Sequence, residues 1–390
     1  MLSIRLAIRN LIGAGLRTWL NVIVLSFSFV VIIWHKGLLD GWDRQAKKDM
    51  ISWEVAGGQY WHTNYDPYDP FSLSDAHGEI PPEFSGEIQK GSIVPLLISQ
   101  GTLYPQGRLQ SILIKGIDPN QTLLELPTTM LTQQEEIVPA IIGSAMAEST
   151  RLKEGDYVTL RWRDRNGTFD AAEVLITGVF ETNVPTVEVG QIWVPIEDLR
   201  EMTLMPNQAT LLIKGEMQEE IIDTENWIYK SQDTLMVDLD EIIKTKTVGG
   251  MIIWAILLML AMLAIFDTQV LSIFRRQKEI GTLIALGMTR NQVVRLFTVE
   301  GTMHSVLAAL VGAVYGIPLL ARQALKGITL PMQSEEYGMT FADTLYPVYS
   351  LGLIFGTILI VLLVTVVVSY WPSKKIARMN PTEALKGKAQ

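Results

Sequence analysis

Four stretches of this chain are too long and too apolar to be ordinary surface helices. A membrane-spanning helix needs about 20 largely apolar residues. Residues 18–39, 247–274, 301–321 and 345–371 all meet that requirement. Trp19 and Trp34 bracket the first, and Tyr346, Tyr349, Tyr370 and Trp371 bracket the fourth, as aromatic side chains do at the two interfaces of a bilayer. The second is long enough to tilt or to project beyond the hydrocarbon.

The rest of the chain pulls the composition the other way. Hydrophobic residues make up 48% of the 390, yet the formal charge is −9. That combination points to a membrane protein carrying a large acidic soluble part. With no cysteine, disulfides and thiol chemistry are excluded. Arg5, Arg9 and Arg17 precede the first span and no small-residue cleavage site follows it, so the N-terminus reads as retained.

Charge also sets the orientation, because basic residues accumulate on the cytoplasmic side. Residues 1–17 hold three Arg and no acid, and residues 275–300 hold Arg275, Arg276, Lys278, Arg290 and Arg295 against Glu279 and Glu300. The 372–390 tail holds Lys374, Lys375, Arg378, Lys386 and Lys388 with only Glu383. Residues 39–246 reverse the balance, with 16 Lys and Arg against 34 Asp and Glu. The short 322–344 loop is acidic too. The predicted fold class is an α-helical membrane protein with four transmembrane helices plus a large α+β extracytoplasmic domain inserted between the first and second helices. Both termini and residues 275–300 are expected in the cytoplasm, and residues 40–246 outside.

Residues 1–17 carry Ile4, Ala7, Ile8, Leu11 and Ile12 on one helical face and Arg5 and Arg9 on another, the pattern of an interfacial helix. Within 40–246, the Asp-, Pro- and aromatic-rich first part, 40–110, reads as ordered but irregular. From Ser111 onward strands and helices alternate. Strands are expected at Ser111–Ile117, Ile137–Ile142, Tyr157–Arg163, Ala172–Phe180, Gln191–Pro195, Ala209–Lys214 and Thr234–Asp238. Helices are expected at Ser144–Arg151, Glu197–Met202 and Glu216–Gln232. Leu239–Lys246 runs directly into the second span, which predicts one continuous helix. Gly312 and Gly316, and Gly352 and Gly356, lie one turn apart and suit close packing of helices in lipid, within the chain or between chains.

Phe274–Gly301 joins the second and third spans. Ile280, Leu283, Ile284 and Gly287 recur along one face of an amphipathic helix. Gly287 permits a break, and Thr289 can N-cap a second short helix carrying Val293, Val294, Leu296 and Phe297. An amphipathic hairpin with a cationic rim suits docking of a partner or contact with lipid, and its residues alone leave both open.

Catalytic signatures are absent: no G-x-x-x-x-G-K-[ST], H-E-x-x-H or G-x-S-x-G occurs. The four His are dispersed, and His62 and His77 with Asp66, Asp69 and Asp75 match no metal-site spacing. Asp267 is an intramembrane acid, a type usually functional, although it lies two turns before Arg275 and so near the headgroups. No span is broken by polar groups at its middle, which argues against ion-coupled transport.

Three motifs carry a resemblance. RRQKEIGTLIALGMTRNQVVRLFTVEG resembles the EIG-x-L-x-ALG-x-[ST]-R-x-Q-[IV] stretch of FtsX-like permease domains of ABC transporters, the group that includes macrolide-exporter and lipoprotein-releasing permeases. WPSKKIARMNPTEALK resembles the tail of that family, and LAIRNLIGAGLRTWLNVI its N-terminal helix. IIGSAMAESTRLKEGDYVTL, LITGVFET and IWVPIEDL are similar to its periplasmic core domain. Residues 40–110 have no match, and Asp267 stands where many members have Asn.

The resemblance implies a non-catalytic permease in the bacterial cytoplasmic (inner) membrane, binding no cofactor itself. ATP and Mg would act on two copies of a separate ABC ATPase subunit, since no ATPase is fused here. A second permease copy or a paralogue would complete a dimer, with membrane lipids around it and a periplasmic or outer-membrane partner conceivable; no nucleic-acid partner is implied. By the same resemblance, Arg276, Glu279, Leu283, Leu286, Gly287, Thr289 and Arg290 would dock the ATPase. Leu239–Val248 would transmit the motion outward, for release of lipoproteins or lipids or for export of a peptide or drug. An ATPase-independent receptor or scaffold, and a regulator of a cell-wall hydrolase, stand as alternatives.

Overall fold

The structure, a computed structural model, describes residues 16–132, 137–216, 221–329 and 344–375. The amphipathic helix expected over 1–17 therefore lies almost wholly outside the described residues, as does the tail beyond 375. The chain divides into two compact units, one formed by 1–43, 242–330 and 344–390 and the other by 44–241 and 331–343.

The first unit is helical. Helix α1 is Leu16–Met50, α2 Val237–Arg275, α3 Gln277–Ala285, α4 Arg290–Lys326 and α5 Leu351–Lys374. Helices α1, α2, α4 and α5 are long and apolar enough to cross a membrane. All four contribute to one packed centre, with Val22, Leu25 and Phe29 meeting Leu258, Ala261, Ile265, Ala308 and Val361. Lipid is as apolar as these side chains, so close fit rather than water exclusion holds such helices together. The glycine pair of α4 serves that fit: a Cβ on Gly312 would lie 3.3 Å from the Ser26 carbonyl, and one on Gly316 would lie 2.7 Å from Val30. Those glycines pack α4 on α1 inside one chain. Gly356 of α5 meets nothing.

The fourth helix starts later than the expected 345. Ser350 caps it, its hydroxyl accepting from the Leu353 N–H at 3.1 Å. Ahead of the cap, Thr344–Leu345 pairs antiparallel with Ile328–Thr329, and Val348 N–H donates to the Gly37 carbonyl at 2.8 Å. Pro347 disfavours a helical residue before it, which keeps this run extended. Gly37 and Gly41, one turn apart on α1, make room for it: a Cβ on Gly41 would sit 2.9 Å from Pro347 Cα and closer still to the Tyr346 carbonyl. The sequence reading passed over this third small pair. Gly41→Leu is expected to overpack the junction by about 1–3 kcal/mol; a thermal unfolding midpoint in detergent equal to that of the parent would contradict this contact.

The second unit is built on a nine-stranded sheet. Its strands are β1 Gln59–His62, β2 Ile93–Leu103, β3 Gln110–Ile117, β4 Val138–Gly143, β5 Tyr157–Arg163, β6 Phe169–Phe180, β7 Gln191–Pro195, β8 Leu211–Lys214 and β9 Trp227–Lys230. They are ordered β9-β1-β8-β2-β3-β7-β4-β6-β5, and β5 also pairs with the far end of β2. That second pairing, Gly101 to Trp162 through Leu103 to Leu160, curls six of the strands back on themselves. Alternation then sends Leu97, Ile112, Ile114, Ala140, Ile142, Ile192 and Val194 into the core inside the curl. Their neighbours Leu96, Ile98, Ile117, Ile141 and Trp193 go to a second core on the other face.

Residues 40–110 are more regular than their composition suggests, because they supply β1 and the central β2. The run from Ile93 to Ile98 is buried on both faces, so it lacks the alternation that marks a half-exposed strand, and Pro95 argues against a central strand. Two other expectations fail locally. Thr234–Asp238 is helical, not extended, since the Ser231 hydroxyl accepts from Thr234 N–H and starts the turn Gln232–Leu235. Glu216–Gln232 is not one helix: Trp227–Lys230 pairs with β1, placing Tyr229 opposite Tyr60, while 217–220 lie outside the described residues.

Two crossings between the units fall inside helices, at Asp43–Arg44 in α1 and at Glu241–Ile242 in α2. The expected continuity of Leu239–Lys246 with the second span is thus present in α2.

Candidate functional site

The α2–α4 connection is assembled from stop and start signals written close together. Arg276 leaves helical geometry at φ −105° and ψ 20°, which ends α2 and admits α3. At the far end of α3, Gly287 adopts φ +99°, a conformation that costs a residue with a Cβ. Gly287 N–H donates to the Ile284 carbonyl and Met288 N–H to the Leu283 carbonyl, both at 3.1 Å. This is the Schellman pattern, in which a left-handed glycine closes a helix and satisfies its last carbonyls. Thr289 opens α4 immediately afterwards with a capping box. Its N–H donates to Gln292 Oε1 at 2.8 Å, and Gln292 N–H donates to Thr289 Oγ1 at 3.4 Å, so two donors that a helix start leaves unpaired are satisfied reciprocally. The second helix is not short, however: it continues without interruption through the third span to Lys326.

The hairpin has its own core. Ile273, Ile280, Val293, Val294 and Phe297 are buried together, with Leu283, Ile284 and Met288 packed against them. Arg276 lies over the Phe297 ring, 4.9 Å from its centroid. Its Nε donates to Glu279 Oε2 at 2.7 Å, and its Nη1 donates to Glu300 Oε1 and Oε2 at 2.8 and 2.9 Å. Burial draws protons off this guanidinium, but the hydrogen bonds and charges of Glu279 and Glu300 outweigh that and hold its pKa above the ordinary value. Glu300 is 9% exposed, so the pair joins the end of α2 to the body of α4 through a largely dry contact.

The seven residues singled out from sequence therefore separate into two groups. Arg276 faces inward as a clamp, with Glu279 half engaged on it, and Leu283 is half-buried against the hairpin core. Leu286, at 79% exposure, and Gly287, Thr289 and Arg290 lie exposed around the turn. Gly287 is not on the apolar face, because the Schellman turn carries it past the end of α3. Glu300 and Phe297 were not singled out as site residues. A signal was present: Val293, Phe297, Glu300 and His304 recur at i, i+4, i+7 and i+11, and an acid on an apolar helix face calls for an internal cation.

Asp267 is exposed on α2, beside Leu263 and Phe266, which are 57% and 36% exposed. It does not enter the polar interior of the bundle, where Gln269, Ser305, Ser369 and Ser373 are buried. Gly301 sits at that point because a Cβ there would lie 2.7 Å from Gln269 Nε2 and closer to Ser369 Oγ. Among the described residues no group of three acids or histidines is placed to hold a metal. His77 is engaged through Nδ1 with Gln208 Oε1 at 2.6 Å and through Nε2 with the Ser74 carbonyl at 3.0 Å.

Residues 251–381, which contain the hairpin, most of the second span and the last two spans, match the family described as FtsX-like permease C-terminal. An uncharacterized ABC transporter permease of Methanocaldococcus jannaschii is 29% identical over 44% of this chain and 42% of its own length. The lipoprotein-releasing system transmembrane protein LolC of Neisseria meningitidis serogroup B is 22% identical over 77% of this chain and 79% of its own. The macrolide export ATP-binding/permease protein MacB of Sodalis glossinidius is 28% identical over 40% of this chain. The matched part is 22% of MacB, a single protein named for both ATP binding and permease. The family match and these relatives together support an ABC transporter permease of the FtsX/MacB type.

Proposed function

We propose that this chain is the non-catalytic membrane subunit through which a separate ABC ATPase drives an extracytoplasmic domain. The observation that carries this reading is the exposed apolar turn on a hairpin too well braced to be a passive loop. Leu286 protrudes from a helix that is capped at its end, packed on its own core and tied by Arg276 to Glu300. In this reading Leu286, Gly287, Thr289 and Arg290 meet the ATPase, whose ATP and Mg remain on that partner. Arg276, Glu279 and Leu283 hold the hairpin in shape. The basic residues around the hairpin support its placement in the cytoplasm of a bacterial inner-membrane protein, with residues 40–246 outside.

ATP-driven motion of the hairpin passes directly into α2 and α4, since the clamp leaves little slack between them. The unbroken run of α2 from Val237 to Arg275 supports mechanical transmission to the extracytoplasmic domain. Lipoprotein or lipid release is the favoured task, because LolC is matched over 77% of this chain; export of a peptide or drug is the reading that MacB supports. Retention of the ATPase by Leu286→Asp membranes tests the docking surface.

A second permease subunit, a copy or a paralogue, covers the exposed face of α2 in this reading. An acid on a lipid-facing surface is costly, and Asp267 is better accommodated where another subunit meets that face. Because the chain has no cysteine, Phe266→Cys gives a single reactive site. Oxidation is expected to join two copies through a disulfide between the introduced thiols, and a thiol-reactive photo-cross-linker to join the chain to a paralogue identified by mass. Monomer alone under both treatments would remove the assignment.

A further inference from the structure

The second core of the extracytoplasmic unit is not filled. A cavity of about 540 Å³ opens among Trp53, Trp61, Tyr65 and Trp193, on the sheet face opposite the curl, within the size range of pockets for small organic molecules. Of the charged residues on its walls, Glu54, Lys115, Lys230 and Asp238, only Lys115 is buried. Strand β3 alternates Leu113, Lys115 and Ile117 towards this face, so the ammonium of Lys115 occupies a core position between two aliphatic ones.

Lys115 is 7% exposed. Its Nζ donates to the Thr186 carbonyl at 3.1 Å and lies 4.8 Å from the Trp193 ring, its partner across the parallel β3–β7 pair. One carbonyl and one ring face do not satisfy three N–H donors, and a buried cation is costly without an anion. Burial pulls the Lys115 pKa down, with the nearby Glu54 opposing that. Glu54 cannot be the missing anion at contact distance: its Oε2 accepts from the Thr186 hydroxyl, and no ion pair joins it to Lys115 among the described residues.

We infer that this cavity is a binding site for an amphipathic organic anion, a compact aromatic or branched apolar body carrying one carboxylate that completes the coordination of Lys115. Aromatic walls match such a body by area and ring contact. The lone buried ammonium selects the acid over its neutral analogue, since a site built to pair a charge rejects a ligand that leaves it unpaired. The site goes beyond the coupling reading, belonging to a different unit and needing no ATPase.

The test uses the full chain in lipid nanodiscs, titrated calorimetrically with 4-biphenylcarboxylate and with neutral 4-biphenylcarboxamide; empty nanodiscs supply the partition background. Saturable binding of the carboxylate is expected, at least tenfold tighter than the carboxamide. Lys115→Met, near in volume, should bind the two alike, the carboxylate having lost at least tenfold. Glu54→Gln leaves the cation in place, removes the competing charge and should bind the carboxylate more tightly than the parent; it carries the test if Lys115→Met does not fold. No saturable carboxylate binding to the parent, equal binding by Lys115→Met, or unchanged or weaker binding by Glu54→Gln would each overturn the site.

Discussion

Leu286→Asp is expected to leave the chain folded and membrane-inserted while removing the ATPase proposed to dock at this turn. The side chain is 79% exposed, so the folded chain loses almost nothing when it is replaced. Filling an apolar groove with a leucine is worth about 1.5–3 kcal/mol, and burying a carboxylate in the same groove adds a penalty instead. Since 1.4 kcal/mol is tenfold in an equilibrium constant, retention of the ATPase by purified permease should fall by about a hundredfold. Quantitative co-purification from membranes, with the thermal midpoint as a control, checks both halves; unchanged retention would sink the docking assignment. Leu283→Asp cannot replace it as a probe. Leu283 is half-buried against Ile280 and Phe297, so that substitution would damage the hairpin itself and lose the ATPase for a structural reason. Gly287→Trp is similarly mixed, because φ +99° strains any side chain there.

How far the sequence could be read depended on whether the physics was local. The spans were legible because their length and apolarity act residue by residue. Thr289 and Gly287 were legible because caps and left-handed turns lie within a few residues of the signal that makes them. Strand β2 was not, since it is central only through pairing with Leu211–Lys214 and Tyr157–Arg163, partners more than 50 positions away. The site divided in the same manner. Leu286 and Arg276 look alike as members of an amphipathic stretch, one apolar and one basic. Only the return of α4 brings Glu300 to within 2.8 Å of Arg276 and turns a supposed rim charge into an internal brace. Lys115 was passed over for a related reason: a single lysine in a strand reads as its solvent face until the opposite face is found to be covered as well.

Arg276→Met is expected to cost this brace about 2 kcal/mol, below the 3–5 kcal/mol of a fully buried pair because the Arg276 side chain is 23% exposed. Most of that cost belongs to Glu300, left at 9% exposure without a cation. Glu300→Met should cost less, since Arg276 keeps Glu279 at 2.7 Å. Replacing both should be milder than the sum of the single changes, because two thioether chains over Phe297 leave no charge behind; a coupling of about 1–2 kcal/mol in the double-mutant cycle is the expected reading. Additive costs would mean that the clamp holds nothing. The same four proteins also separate the two roles open to Arg276. A purely internal brace predicts that ATPase retention follows the thermal midpoint and returns in the double variant. Were the midpoint to return while retention stayed low, Arg276 would have to touch the ATPase as well, and force from that subunit would enter the permease directly at the joint between α2 and α4.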